Sequence, residues 1–144
     1  MIKKTFFVSG HRDITKEEFE QLYIPKFKEI IDSFENGDID PFFIMGDYEG
    51  VDIMSQNALV GILRINPARL TVYHMNSTPM NLNSEITNLK GNFKDDIERD
   101  SAMTRDSDED IAFVRIGKEC SGTAQNIIRR KSFINENNKI KMFI

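Results

Sequence analysis

The sequence KTFFVSGHRD at residues 4–13 carries the strongest indication of the fold. Its apolar run is short enough for a buried strand, and it ends in a turn at Ser9-Gly10. A capping box follows at Thr15 to Glu18, with a hydroxyl and a carboxylate that can each satisfy a free amide at a helix start. Apolar side chains then recur at helical spacing from Phe19 to Phe34. This stretch therefore predicts a strand, a glycine turn and an amphipathic helix.

The rest of the chain continues this alternation. Further strands are predicted at residues 42–45, 70–73, 110–116 and 139–143, and further helices at 51–63, 93–105 and 123–133. Residues 75–92 are predicted to form a long loop. Asn36-Gly37 is expected to end the first helix, and Pro25 to kink it or begin a new turn. The pattern predicts an α/β fold: a single Rossmann-like three-layer domain over residues 1–144, with a mainly parallel sheet of about five strands.

The charge balance argues against a nucleic-acid partner. The chain has 144 residues, of which 19 are basic and 23 acidic, and its net charge is −4. Non-specific affinity for DNA or RNA comes mostly from neutralised phosphates, which an acidic surface does not provide. A local pocket with one or two cations could still bind a phosphate. The expected partner is therefore a small molecule rather than a polynucleotide.

The cysteine and histidine content predicts no disulfide and no metal centre, and the hydropathy predicts no membrane segment. Cys120 is the only cysteine, and His11 and His74 are the only histidines, so no metal site is predicted. No stretch approaches the roughly 20 apolar residues of a membrane span. The apolar run after Lys4 is also too short for a signal peptide. A cytoplasmic protein that needs no cofactor is expected.

The first loop that could carry chemistry follows the first strand and contains Ser9, Gly10, His11 and Arg12. A glycine there allows close approach by a ligand, and Arg12 offers a bidentate donor that suits phosphate. The alternative is a tight turn with a solvated arginine. Because ligands of parallel α/β sheets collect at the carboxyl ends of the strands, the position of this loop favours binding.

The second loop follows the second strand and contains Gly46, Asp47, Tyr48, Glu49, Gly50 and Asp52. Its three carboxylates repel phosphate, so they suit sugar hydroxyls or general acid–base chemistry. Tyr48 could stack on a base, although packing at the edge of the core explains it equally well. The alternative for the loop is structural: Gly50 ends a turn, and Asp52 interacts with the dipole at the start of a helix.

Two further features lie later in the chain. Arg99-Asp100 is on a predicted helix, where Arg99 could reach a phosphate or a carboxylate; the alternatives are a surface pair with Asp95 and a solvated acidic face that includes Asp96 and Asp100. The segment Ser121-Gly122-Thr123 begins the next helix, and its hydroxyls and free amides could seat a phosphate. The alternative there is a simple N-cap.

In this order and spacing, these motifs resemble the SLOG superfamily of Rossmann-like nucleotide-binding proteins. The likeness extends from about Thr5 to Arg130 and is strongest to the small YspA-related branch, which is itself similar to the core of DNA-processing protein A and to the lonely-guy phosphoribohydrolases. The resemblance implies a pocket for a nucleotide or nucleotide-derived ligand, and a chain that can pair as a homodimer. Its elements would be the loops at 9–12 and 46–52, Arg99, and the phosphate seat at 121–123.

The resemblance also implies a chemistry, from which this chain departs. The phosphoribohydrolases carry the motif P-G-G-x-G-T-x-x-E, whose Glu acts with an Arg on the preceding helix. Arg99 matches that Arg and Gly122-Thr123 match G-T, but the Glu position is Asn126 and P-G-G is absent. A catalytic carboxylate would have to be Asp47, Glu49 or Asp100.

Two functions stay open at this point. The first is an enzyme that cleaves or transfers the N-glycosidic bond of a nucleotide, with Arg12, Gly122 and Thr123 as the phosphate anchor and one of the carboxylates near the anomeric carbon. The second is a non-catalytic protein that senses or sequesters a nucleotide, which Asn126 favours.

Overall fold

The computed structural model describes residues 1–134 and 142–144. Its main sheet has five strands: β1 (Ile2–Val8), β2 (Ile39–Met45), β3 (Leu70–Tyr73), β4 (Asn88–Lys90) and β5 (Glu109–Ile111). Four α-helices are described: α1 (Lys16–Glu35), α2 (Val51–Asn57), α3 (Asp96–Arg105) and α4 (Gly122–Ile134). Short strands β6 (Val114–Arg115) and β7 (Met142–Phe143) form a separate parallel pair. The predicted α/β class is confirmed.

All neighbouring strands of the main sheet are parallel, in the order β4-β3-β2-β1-β5. The chain moves outward from β1 through β2 and β3 to β4, and then returns to the opposite side of β1 with β5. The strand order therefore reverses at β1, between β2 and β5. In open parallel sheets this reversal leaves a crevice at the carboxyl ends of the strands, where ligands bind.

Alternate residues of each strand point to the two faces of the sheet, and each face is covered by helices. On one face Phe6 and Phe43 pack in the same cluster as Tyr23 and Phe27 of α1, and Leu59 after α2 extends that cluster. On the other face a second, smaller cluster comprises Phe7, Ile44, Tyr73, Ala102 and Met103. The fold thus has three layers, with α1 and α2 on one side and α3 on the other.

The first β-α-β unit agrees with its sequence pattern. Thr15 accepts a hydrogen bond from the Glu18 amide (3.1 Å), and Glu18 accepts one from the Thr15 amide (2.9 Å), so the capping box is confirmed. The helix ends at Glu35, as Asn36-Gly37 predicted. Pro25, predicted to kink the helix or begin a new turn, lies inside α1, which continues through it as one 20-residue helix. Proline has no N–H to donate to the carbonyl group of Gln21, four residues earlier. Both residues are exposed, so water can donate to that carbonyl instead.

The second half of the chain differs from its predicted elements in two places. The segment predicted as a loop at 75–92 contains β4, which pairs with β3 at the edge of the sheet. The strand predicted at 110–116 is two strands in different sheets, β5 and β6. It breaks because the Phe113 amide donates to the Tyr23 hydroxyl (3.3 Å) instead of to a neighbouring strand, while Val114 packs against α4.

Three smaller differences concern helix and strand ends. The helix predicted from 93 begins at Asp96, because the Asp95 side chain accepts from the Glu98 amide and caps it. The helix predicted over 51–63 is α-helical only to Asn57 and continues as a π-helical turn, Ala58–Ile62. Of the strand predicted at 139–143, residues 139–141 lie outside the described residues, and the rest is β7, which pairs with β6 rather than with the main sheet.

Candidate functional site

A cavity of about 310 Å³ opens where the strand order reverses. Four elements of the chain meet there: the loop after β1, the loop after β2, the inner face of α3 and the start of α4. The residues that line it are Phe7, Ser9, Gly10, His11, Arg12, Gly46, Tyr48, Asp52, Asp96, Arg99, Asp100, Met103, Ser121, Gly122, Thr123 and Asn126. Its size is at the lower end of the range for small-molecule sites.

The loop after β1 is held close to the core by packing. A Cβ on Gly10 would lie 2.3 Å from Val51 Cγ2 and 2.4 Å from the Tyr23 hydroxyl, so only glycine fits. The same hydroxyl donates to the Ser9 carbonyl (2.8 Å). The Ser9 side chain is only 7% exposed, and its hydroxyl has no hydrogen-bond partner among the described residues. Because the hydroxyl oxygen is itself buried, a ligand in the cavity would meet it only after the side chain rotates to another rotamer.

His11 is a neutral member of the cavity wall. Its Nε2 accepts from the Arg115 amide (2.8 Å), so in the neutral ring the proton is on Nδ1. Burial lowers the pKa of His11, and the nearby Arg115 guanidinium lowers it further. The same guanidinium is bound by Asp13 (2.9 Å) and Glu18 (2.8 Å), which fixes this side of the loop to α1.

Tyr48 and Asp96 form the rim between two arginines. The Arg12 guanidinium carbon lies 3.5 Å from the centroid of the Tyr48 ring, and that of Arg99 lies 4.4 Å from it. The Tyr48 hydroxyl donates to Asp96, which joins the loop after β2 to the first turn of α3. Burial raises the pKa of Tyr48, as does the Asp96 carboxylate, so the hydroxyl stays protonated. Arg12 is otherwise exposed and can turn toward a ligand.

Arg99 is a buried cation surrounded by carboxylates. Its side chain is 4% exposed and bonds Asp47 Oδ1 through Nη1 and Asp100 Oδ1 through Nε and Nη2, each at 3.2 Å. Burial opposes its charge, but Asp100 and Asp52 outweigh that effect and raise the pKa of Arg99. Burial also raises the pKa of Asp100, against the attraction of Arg99. The predicted alternatives, a surface pair with Asp95 and a solvated Asp100, do not hold for these two residues.

Asp52 is the carboxyl group most strongly affected by its surroundings. Burial raises its pKa to about 7, although the Tyr48 amide, which donates to Oδ2 (3.2 Å), and the Arg99 charge both lower it. The space for this carboxyl depends on Gly46, because a Cβ there would lie 2.6 Å from Asp52 Oδ2. Near neutral pH the cavity therefore holds a carboxyl that can donate or accept a proton.

The start of α4 faces the cavity with its free amides. The Ser121 hydroxyl accepts from the Ala124 amide (3.2 Å) and so acts as the N-cap. Among the described residues, the amides of Gly122 and Thr123 have no hydrogen-bond acceptor, and both residues line the cavity. Asn126 lies one turn further on and is 4% exposed; its Oδ1 accepts from Arg129, which leaves its amide nitrogen available. Free amides at a helix start favour an anion.

The cavity brings together most of the residues that the sequence singled out. Those that line it are Ser9, Gly10, His11, Arg12, Gly46, Asp52, Arg99, Asp100, Ser121, Gly122, Thr123 and Asn126. Asp47, Glu49 and Gly50 do not. Tyr48, considered from the sequence as a base-stacking residue or as packing at the edge of the core, lines the cavity too. Asp96 was expected on a solvated face and was missed as a site residue; its spacing from Arg99, one helical turn apart, was the available signal. Phe7 and Met103, also unpredicted, supply apolar wall.

Within residues 1–134 and 142–144, no three or more His, Cys, Asp and Glu side chains group as they would around a metal ion. No helix in the same ranges combines the length and the hydropathy that a membrane crossing needs. Comparisons with protein-family models, with curated proteins and with solved structures found no match to this chain.

Proposed function

We propose that this chain binds a nucleotide, or a small molecule derived from one, in the cavity at the carboxyl ends of β1 and β2. One observation carries the proposal: the start of α4, with two amides that lack acceptors among the described residues, opens into the same cavity as the carboxyls of Asp52 and Asp100. A nucleotide carries a phosphate anion and a polar sugar on one small molecule. The amides at the start of α4 suit the phosphate, and the two carboxyls suit the hydroxyls of the sugar.

The anion would be bound at the start of α4. The amides of Gly122 and Thr123 carry the positive end of the helix dipole, and the Ser9 hydroxyl adds a neutral donor once its side chain has rotated. Arg12 is the cavity's cation that has no carboxylate partner among the described residues. These groups suit one phosphate better than several. The other cation of the cavity, Arg99, is already paired with carboxylates and leaves no positive charge for a second phosphate.

The sugar and the base would lie against the other part of the cavity. Asp52 and Asp100 can accept hydrogen bonds from hydroxyls, and the Tyr48 ring offers a planar surface at the rim. This arrangement supports binding whether or not the ligand is turned over.

A thermal-shift panel of nucleoside mono-, di- and triphosphates tests the proposal. A nucleotide present at 100 times its dissociation constant should stabilise the chain by about 2.7 kcal/mol. Replacing the cation with Arg12→Met should weaken binding of the best nucleotide about tenfold, because one charge-assisted contact to phosphate is lost. Lys28→Met, at an exposed position of α1, removes the same charge and should leave the affinity unchanged. No shift with any nucleotide would contradict the proposal.

Cleavage of the N-glycosidic bond is a second candidate, favoured by the position of Asp100. Of the three carboxylates considered from the sequence, Asp47, Glu49 and Asp100, the last alone lines the cavity, and its side chain is 15% exposed. In this reaction the bond from the anomeric carbon to the base breaks, and a water oxygen replaces the base. Asp100 would stabilise the positive charge that develops on the sugar. Asp52 would supply the proton that the leaving base takes up and would regain one from the attacking water.

Release of free base from the nucleotides of the panel measures this reaction. Asp100→Asn should lower the rate about 100-fold, as expected when charge stabilisation at the reacting carbon is lost. Glu49→Gln is the matched control, because it neutralises an exposed carboxylate outside the cavity. Base release that survives Asp100→Asn would contradict the assignment, and binding without base release would favour a sensor.

A further inference from the structure

Asp47 is buried beside the cavity but does not line it. Its side chain is 3% exposed, and both of its carboxylate oxygens have partners: Oδ1 accepts from Arg99 (3.2 Å) and Oδ2 accepts from the Met80 amide (2.8 Å). Its own carbonyl accepts from both the amide and the side chain of Asn81 (3.1 and 3.0 Å). A carboxylate in this position cannot touch a ligand in the cavity, yet it contacts the cavity's buried cation directly.

Two partners of Asp47, Met80 and Asn81, belong to the connection between β3 and β4. Gln56 of α2 fixes the same segment, because its side-chain oxygen accepts from the Asn83 amide (2.9 Å) and its nitrogen donates to the carbonyls of Gly46 (3.2 Å) and Asn81 (3.4 Å). The loop after β2 therefore contacts this connection on one side and α3 on the other. Asp47 is the residue that makes both contacts with one carboxylate.

The orientation of the Arg99 guanidinium depends on this arrangement. Asp100 binds it through Nε and Nη2, and Asp47 binds it through Nη1, from a different element of the fold. Asp96, which like Asp100 belongs to α3, lies 3.6 Å from Nη2, so among the described residues Asp47 is the carboxylate that holds the guanidinium from outside that helix. One N–H of Nη1 then has no hydrogen-bond acceptor among the described residues and can serve a ligand, while Nη2 also lies within ion-pair distance of Asp96.

We infer that Asp47 is a positioning residue that holds Arg99 in the orientation a ligand requires and couples it to residues 80–83. The value of that orientation rests on the proposed nucleotide site; the coupling itself is a property of the free chain. Movement of the β3–β4 connection would release Oδ2 and loosen Arg99, and loss of Arg99 would loosen the connection.

Two measurements without ligand test the coupling from its two ends. Asp47→Asn keeps an acceptor for the Met80 amide but turns an amide toward Arg99, so the Arg99 Nε–H signal in NMR relaxation should show a clearly lower order parameter. Arg99→Lys keeps the charge but loses the planar fork, and exchange of the Met80 amide with solvent should become about tenfold faster. The matched controls are Glu49→Gln, which like Asp47→Asn removes one carboxylate, and Arg105→Lys, which like Arg99→Lys replaces a guanidinium by an ammonium. Both positions are exposed, and neither variant should move either signal.

An unchanged Arg99 signal in Asp47→Asn, or an unchanged Met80 exchange rate in Arg99→Lys, would overturn the inference. Should Arg99→Lys fail to fold, Asn81→Ala removes one bond to the Asp47 carbonyl from the loop side and should also lower the Arg99 order parameter; no change there would overturn it equally.

The nucleotide that gives the largest thermal shift in the panel supplies a third measurement. It should slow Met80 exchange in the unmodified chain and should not do so in Asp47→Asn, a difference that a merely structural role would not produce. Equal protection in both chains would count against the inference. If no nucleotide binds, the proposed function fails, and the two ligand-free measurements still decide whether Asp47 positions Arg99.

Discussion

A Gly50→Ala variant is expected to unfold with about 4 kcal/mol less free energy than the unmodified chain. Gly50 precedes α2 with φ +77° and ψ −131°, a region in which a residue with a Cβ is strained by about 1–3 kcal/mol. That Cβ would also lie 2.5 Å from the carbonyl oxygens of His11 and Arg12. Both are backbone atoms that cannot rotate away, so an overpacking cost of about 1–3 kcal/mol adds to the strain.

The consequence extends to the cavity, because the carbonyl of His11 also accepts from the Val51 amide (3.3 Å). A displaced Gly50 would push the loop after β1 away from α2 and shift Arg12, so any nucleotide affinity should fall together with stability. Gly50 thus does not line the cavity, but its close packing against the backbone of His11 and Arg12 fixes the position of a loop that does.

Urea denaturation of Gly50→Ala and Gly61→Ala measures the effect. A Cβ on Gly61 would meet no atom within 4 Å, so that substitution should be neutral or slightly stabilising through the unfolded chain. Equal unfolding free energies for the two variants would show that the loop can relax, and would remove Gly50 from the residues that shape the site.

The elements that sequence predicts well are those whose own side chains determine them. Leu70–Tyr73 is a strand at the predicted bounds, because it is a short apolar run between polar turns. The edge strand β4 has no such signal: its three residues are all exposed, and it exists through pairing with β3. The break between β5 and β6 depends on the Tyr23 hydroxyl, a residue 90 positions earlier in the chain. Contacts of that kind cannot be read from a local pattern.

The candidate site also has a part that the sequence predicts and a part that it does not. Sequence places the candidate loops correctly, since the carboxyl ends of parallel strands meet at one edge of the sheet. It does not distinguish Asp47, in the loop after β2, from Asp52, five residues later in the first turn of α2, although of these two only Asp52 lines the cavity. Asp47 contacts Arg99 and the Met80 amide, whereas Asp52 accepts from the Tyr48 amide, and the two distant partners of Asp47 have no signature in the residues of the loop itself.

The pH dependence of stability should identify Asp52 as the carboxyl with the largest shift. Burial raises its pKa from 3.8 to about 7, so the folded chain keeps this proton between about pH 4 and 7 while the unfolded chain has lost it. The folded state then binds more protons than the unfolded state, and the contribution of Asp52 to the unfolding free energy falls as the pH rises through this window. Well above pH 7 the loss is complete, at about 4 kcal/mol.

Asp52→Asn removes this titration and keeps an oxygen that can accept from the Tyr48 amide. The variant should therefore gain stability relative to the unmodified chain as the pH rises from 4 to 8, by about 4 kcal/mol in total. Burial also raises the pKa values of Asp100 and Asp110, but both groups are present in each protein, so the difference between the two curves isolates Asp52. Urea denaturation at intervals across this range gives the curves, with Glu49→Gln as the control for loss of an exposed carboxylate. Parallel curves for Asp52→Asn and the unmodified chain would mean that Asp52 is ionised in the folded state, and it could not then supply a proton to a leaving base at neutral pH.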